Sequence, residues 1–168
     1  ITAACTVAND GILMQPRIVK EVKNTDTGAI TTIDPVQVRQ VISKETANTM
    51  MDMLETVVTS GTGKKAQVKG YSIAGKTGTS EPDYAKDEGY TASFLGISPT
   101  EDPVIVLLVT LYAPKGLKGN HGSEVAAPVA AQILTEVLPY LQIPSDGSNE
   151  DSNKTITLPN VANKTVAE

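Results

Sequence analysis

Gly70-Tyr71-Ser72-Ile73-Ala74-Gly75-Lys76-Thr77-Gly78-Thr79-Ser80 is the stretch on which the reading of this chain turns. Its first eight residues fit the phosphate-loop pattern G-x-x-x-x-G-K-[ST] letter for letter. That pattern needs a buried strand before it and a helix opening at the Lys-Thr pair, so that the helix N-terminus faces phosphate. Neither flank complies. Upstream, Lys64-Lys65-Ala66-Gln67-Val68-Lys69 is too polar for a buried strand, and downstream Gly78-Thr79-Ser80-Glu81-Pro82-Asp83 is not a helix. The apolar run from Val104 to Leu111 ends at Tyr112, without an aspartate to serve a magnesium ion. Nucleotide binding is rejected on this context.

The same residues read as an edge strand lining an active site. Lys76 brings a positive charge, Thr77 and Thr79 bring hydroxyl donors at alternating positions, and Gly78 lets a ligand backbone approach closely. A cation and two hydroxyls suit a terminal carboxylate, while the strand itself can pair with a peptide. The amide of Thr79 is a candidate donor to a developing oxyanion. A plain strand with an exposed lysine accounts for Lys-Thr-Gly taken alone, so the surroundings must decide.

The chain has 168 residues, room for one domain with a real core and a short extension. Hydrophobic residues make up 40% and aromatics only 4%, so the core is expected to be mainly aliphatic. The net charge of −5, with Lys64-Lys65 as the only adjacent basic pair, argues against nucleic acid as a partner. One cysteine and one histidine make a His/Cys zinc site untenable, and no cofactor is called for. Cys5, in the small-residue stretch Ala3-Ala4-Cys5-Thr6-Val7-Ala8, is expected to be buried packing rather than a catalytic thiol. No run approaches the roughly 20 apolar residues of a membrane helix. The start at Ile1, without Met or a signal-like region, reads as a piece of a longer protein.

Outward from the central stretch, the elements follow from periodicity and turn chemistry. A helix tail covers Ile1 to Asn9 and ends at Gly11. Residues 17–22 and 29–33 form a surface hairpin around Asp26-Thr27-Gly28. Ser43 is a candidate N-cap for a helix whose Met50, Met51, Leu54, Val57 and Val58 recur at helical spacing, as core rather than ligands, with Gly61 and Gly63 ending it. Short strands are expected at Tyr71 to Lys76, Tyr90 to Ile97 and Val104 to Tyr112. The turn-rich loop Ser98-Pro99-Thr100-Glu101-Asp102-Pro103 makes the last two antiparallel. Val125 to Leu141 is a helix with Val129, Ile133, Leu134, Val137 and Leu138 as its apolar face and Pro128 in its first turn. From Pro144 the chain turns polar and acidic, a linker over 144–155; Ile156-Thr157-Leu158-Pro159-Asn160-Val161 then opens another module. The sequons at Asn153 and Asn163 carry no weight in a bacterial setting.

Taken in order, Gly11 to Pro16 with Ile18 and Val19, Gly61-Thr62-Gly63, Gly70 to Ser80, Ser93-Phe94-Leu95-Gly96-Ile97-Ser98-Pro99 and Ala126-Ala127-Pro128-Val129 resemble the C-terminal part of class B penicillin-binding proteins, which are D,D-transpeptidases. The resemblance covers roughly residues 1–143, and the ordered combination is far more specific than any one element. Leu158-Pro159-Asn160-Val161 resembles the start of a PASTA module, which points to the division and sporulation branch. The resemblance implies an α+β fold, an antiparallel sheet flanked by helices as in the penicillin-binding-protein and serine beta-lactamase group. Residues 1–143 would be the C-terminal portion of the transpeptidase domain, 144–155 a polar linker and 156–168 the truncated start of a PASTA-like module.

The family surrounds one cleft with Ser-x-x-Lys, Ser-x-Asn and Lys-Thr-Gly motifs. Its serine takes the acyl group of a stem peptide ending in D-Ala-D-Ala, and beta-lactams mimic that end. Carried onto this chain, Lys76 would shape the electrostatics of the cleft, Thr77 and Thr79 would hold the carboxylate of substrate or drug, the Thr79 N–H would complete the oxyanion hole, and Gly78 would keep the strand accessible. No Ser-x-x-Lys occurs in the chain, and the Ser-x-Asn search finds only Ser145-Asp146-Gly147, wrong in residue and place. The nucleophile is thus expected upstream of Ile1, and the chain alone is expected to be inactive. The missing N-terminal part of the same protein is then an implied partner, and the extracytoplasmic face of the bacterial membrane the implied location. The other reading is a non-catalytic fragment that binds cell wall or protein through its tail. His121, in Gly119-Asn120-His121-Gly122-Ser123, reads as a surface-loop residue rather than a base for Ser123, placed by the resemblance near the cleft edge.

Overall fold

The structure is a computed structural model and describes residues 1–80, 89–115 and 121–149. The polar run beyond Asn149, the strand expected from Ile156 and both sequons lie outside the described residues. The chain divides into two compact units, Ile1–Met51 and Asp52–Glu168.

The first unit holds α1 (Thr2–Ala8), β1 (Ile12–Met14), β2 (Glu21–Lys23), β3 (Ile30–Thr32), β4 (Gln37–Gln40) and the start of α2 (Lys44–Thr59). β1 pairs antiparallel with β4, and β2 with β3. The expected hairpin forms with its first strand later than the sequence suggested, because Asn24 fixes the turn: its Oδ1 accepts the amides of Asp26 and Thr27, each at 2.9 Å. Gly28 takes the left-handed conformation there (φ +72°). Gly11 (φ +79°) ends α1 as expected, and a Cβ on it would lie 2.2 Å from the Ile42 carbonyl oxygen. Cys5 corrects the sequence reading: it is exposed. The inward position of this seven-residue helix is Thr6, about 100° around the helix from Cys5. Ser43 caps α2 as expected, its hydroxyl accepting the Thr46 amide at 3.1 Å.

The second unit is built on β5 (Ala74–Ser80), β6 (Thr91–Ser98) and β7 (Ile105–Tyr112), ordered β5-β6-β7 and antiparallel throughout. α3 (Gly122–Tyr140) packs on one face, burying Phe94, Val109, Ile73, Leu134 and Leu138 together with Val58 of α2. The observed α+β architecture agrees with the expected fold. The innermost residues of α3 are Ala126, Ala127, Ala130 and Ala131 together with the expected Leu134 and Leu138, with Val129 and Ile133 at the margin. The expected apolar face thus holds at Leu134 and Leu138 and is extended in the first half of the helix by alanines, whose small side chains let the helix come close to the sheet. Likewise the Met50 end of the α2 stripe is exposed while Met51 is buried. Gly75 serves the core directly: a Cβ there would stand 2.5 Å from Cζ of Phe94, so the ring occupies the space that a side chain would take.

α3 starts three residues earlier than expected. Pro128 therefore lies in its second turn instead of its first, and Pro139 is also inside it. The helix ends with Gln142 in the left-handed conformation (φ +59°), the Ile143 amide bonding the Leu138 carbonyl and the Gln142 amide that of Pro139. The chain then returns to the central stretch. Gly70 donates its amide to Ser148 O (2.6 Å) and accepts the Asp146 amide (2.9 Å). Asp146 Oδ2 accepts the Ser72 amide (2.9 Å), and Asn149 donates to Tyr71 O (2.8 Å). Residues 145–149, expected as linker, are thus laid against 70–72.

Partial burial raises the Asp146 carboxyl, but the bonds it accepts from Ser148 and Ser72 outweigh this and lower it from 3.8 to about 2. A carboxylate depressed on folding stabilises the protein above its unfolded value and loses that contribution as pH falls from about 4 toward 2. Thermal melting of wild type and Asp146→Asn is expected to differ at pH 6 by at most ~1 kcal/mol, because the group is largely exposed and screened. The difference should close over that acid window; a gap unchanged at pH 2 would contradict the anchor.

Candidate functional site

β5 is an edge strand, and its register against β6 is continuous from Ala74↔Ile97 to Ser80↔Thr91. Side chains alternate between its faces. Thr77 stands beside Phe94, which in turn pairs with the buried Val109, so Thr77 and Thr79 share the face that carries α3, while Lys76 leaves from the other. The central stretch is strand through Gly75-Lys76-Thr77, and no helix opens there, which agrees with rejecting the phosphate loop. β5 begins three residues later than expected, because Tyr71 and Ser72 are held by residues 143–149 and by bonds from Ser98 and Thr100 instead of by ladder pairing.

Lys76 is exposed, and its ammonium donates to the Thr77 carbonyl at 2.9 Å, which draws the charge back toward the backbone of β5. Thr77 is half-buried, and its hydroxyl lies 2.9 Å from that of Thr62. Thr79 is exposed, and its Oγ1 accepts the backbone N–H of Gly122, the first residue of α3, at 3.0 Å. A lysine, two oriented hydroxyls and the positive end of a 19-residue helix therefore meet along one edge, and each favours an anion. For Gly78 the structure adds a constraint independent of any ligand: a Cβ there would lie 2.5 Å from Ser93 Oγ. His121 is exposed and extended at the cap of α3, its carbonyl accepting the amides of Glu124 and Val125. Ser123 lies within the first turn of the helix.

Residues 1–135 match the sequence family described as the penicillin binding protein transpeptidase domain. The chain belongs to that family. Among relatives of the transpeptidase domain, stage V sporulation protein D of Bacillus subtilis is 35% identical in a match that takes in all of this chain and 27% of that protein. Penicillin-binding protein PbpB of Mycolicibacterium smegmatis is 38% identical over 83% of this chain and 23% of its own length. Penicillin-binding protein 3 of Mycobacterium tuberculosis, solved in complex with aztreonam, superposes with a TM-score of 0.72 at 31% identity, covering 86% of this chain and 35% of that one. The chain spans about a quarter of the length of the curated relatives it matches.

Sequence reasoning placed Lys76, Thr77, Gly78 and Thr79 on one strand of this transpeptidase domain, and they lie on one strand. It did not give Thr62 or Gly122 a part in the site. Both were visible as glycine-flanked or glycine positions beside the ends of apolar periodic runs. Nothing in the sequence pattern said that the turn after α2 and the start of α3 meet at β5.

Proposed function

We propose that this chain is the Lys-Thr-Gly wall of a serine-acylating site in a peptidoglycan D,D-transpeptidase of the division and sporulation type, with the nucleophile supplied by sequence outside it. The serine Oγ attacks the carbonyl of the penultimate D-Ala. The C–N bond breaks, the terminal D-Ala leaves as an amine carrying the proton given up by the serine, and the ester is then opened by an amine of a neighbouring stem peptide. In this reading Lys76 shapes the field of the cleft, Thr77 and Thr79 take the substrate carboxylate, Gly78 keeps the strand open to a peptide backbone, and the Thr79 N–H faces the oxyanion. Beta-lactams occupy the same wall. Residues 1–143 supply the domain, 144–155 the connection and 156–168 the opening of a PASTA-like module, and the domain acts on the extracytoplasmic face of the membrane.

The observation that carries the reading is the edge position of β5, which presents Lys76, Thr77 and Thr79, with the Thr79 hydroxyl bonded to the first amide of α3. The similarity to stage V sporulation protein D, which takes in all of this chain and 27% of that protein, supports the branch. The test uses the full-length protein and a peptide ending in D-Ala-D-Ala. D-alanine release that a beta-lactam abolishes supports the proposal, and absence of both release and penicillin labelling overturns it. The 168-residue chain alone is expected to stay unlabelled.

A further inference from the structure

We propose that Gly122 is a positioning residue for this site: its backbone N–H sets the direction of the Thr79 hydroxyl, and its lack of a side chain lets α3 begin against the strand. The proposal rests on the reading of Thr79 as a ligand-binding hydroxyl.

The first amides of a helix have no partner within it and are usually met by the side chain of the capping residue. The cap of α3 is His121, which makes no side-chain capping bond. The first amide, that of Gly122, goes instead to Thr79 Oγ1 at 3.0 Å. A strand residue thus caps the helix from 43 positions away. A threonine hydroxyl has one hydrogen and two lone pairs. With a lone pair engaged by Gly122, the hydrogen is turned away from the helix and left to donate. Accepting a bond from an N–H at the positive end of a helix also polarises that O–H, making it a better donor to an anion.

Space explains why this position is glycine. Gly122 is helical and needs no left-handed φ. A Cβ on it would lie 2.3 Å from Ser93 O, 2.4 Å from Gly78 O and 3.2 Å from Gly78 N. These are backbone atoms of β6 and β5, which cannot swing aside as a flexible side chain can. Any side chain at 122 lifts the first turn of α3 from β5 or displaces Gly78, and either movement breaks the bond to Thr79.

The test is the rate of acylation of the full-length protein by a fluorescent penicillin, in a cycle of Gly122→Ala, Thr79→Ala and the double variant. Gly122→Ala is expected to slow acylation about tenfold, roughly the worth of one hydrogen bond to a ligand-facing group. In the Thr79→Ala background the same change is expected to add less than about threefold. Equal losses in both backgrounds, or no loss in the first, overturn the proposal. Unaltered labelling of Thr79→Ala overturns the site reading beneath it instead. Because alanine at 122 can unseat α3, hydrogen exchange at the Gly122 amide provides a check with Gly122 intact. Protection is expected in wild type and Thr79→Ser, with exchange at least tenfold faster in Thr79→Val; equal exchange in all three overturns the proposal.

Discussion

Lys76→Ala and Thr77→Ala, made in the full-length protein, are each expected to slow acylation by a fluorescent penicillin about a hundredfold. That is the lower range for removing one preorganised electrostatic partner of a reacting group. Lys76 is held at the backbone of the edge strand by its bond to Thr77 O, so its charge lies along the wall of the site instead of ranging through solvent. Thr77 has its hydroxyl set by Thr62, so little entropy is lost when it bonds a carboxylate. Lys76 is exposed and Thr77 only half-buried, so folding stability should change by no more than about 1 kcal/mol. Thermal melting run beside the labelling separates the two effects. Normal labelling in both variants would remove these residues from the site.

Phe94→Ala is expected to destabilise the domain by about 3–5 kcal/mol, read from denaturant unfolding of the same protein. Phe94 is fully buried between the sheet and α3, and its ring fills room left by the glycines of its own sheet. Gly75 and Gly96 would each bring a Cβ against that ring, at 2.5 and 3.2 Å, so neither neighbour can fill the cavity that alanine would leave. The loss should also reach the site, because Phe94 is the register partner of Thr77. Leu108, on the opposite face and 47% exposed, is the control, with a cost near 1 kcal/mol or less for Leu108→Ala. Equal costs at the two positions would mean that the face packed by α3 has been misassigned.

What could be read from the sequence follows from where the forces are local. β6 and β7 were legible because two apolar runs flank a loop rich in turn formers, which leaves antiparallel pairing as the simplest connection. The hairpin turn and the Ser43 cap were legible for the same reason, since side chain and backbone partner lie within three residues. The start of β5 was misplaced because Tyr71 and Ser72 are held by side chain and loop partners between 26 and 78 residues away, which leave no local pattern. The first turn of α3 was invisible because Gly122-Ser123 has loop composition, and its capping oxygen comes from Thr79. Residues 145–149 looked like linker because they carry no apolar residue; hydrogen bonds hold them, and those leave no periodicity. Cys5 was assigned to the interior from its small apolar neighbours, but Thr6 takes the inward position of that short helix.

Around β5, a common strand for the candidate residues was legible and the packing about them was not. Lys76, Thr77, Gly78 and Thr79 stand out as a cation, two hydroxyls and a gap. That Thr77 meets Thr62 and Thr79 meets Gly122 depends on the packing of three distant segments.

The central claim is that β5 binds the ligand and faces its reacting carbonyl. The most direct measurement is a structure of the full-length protein acylated by a beta-lactam. The account predicts the drug carboxylate within hydrogen-bond reach of Thr77 and Thr79 Oγ1, and the ester carbonyl oxygen about 2.7–3.1 Å from the Thr79 N–H nitrogen. An adduct whose carboxylate and carbonyl both point away from β5 would contradict it.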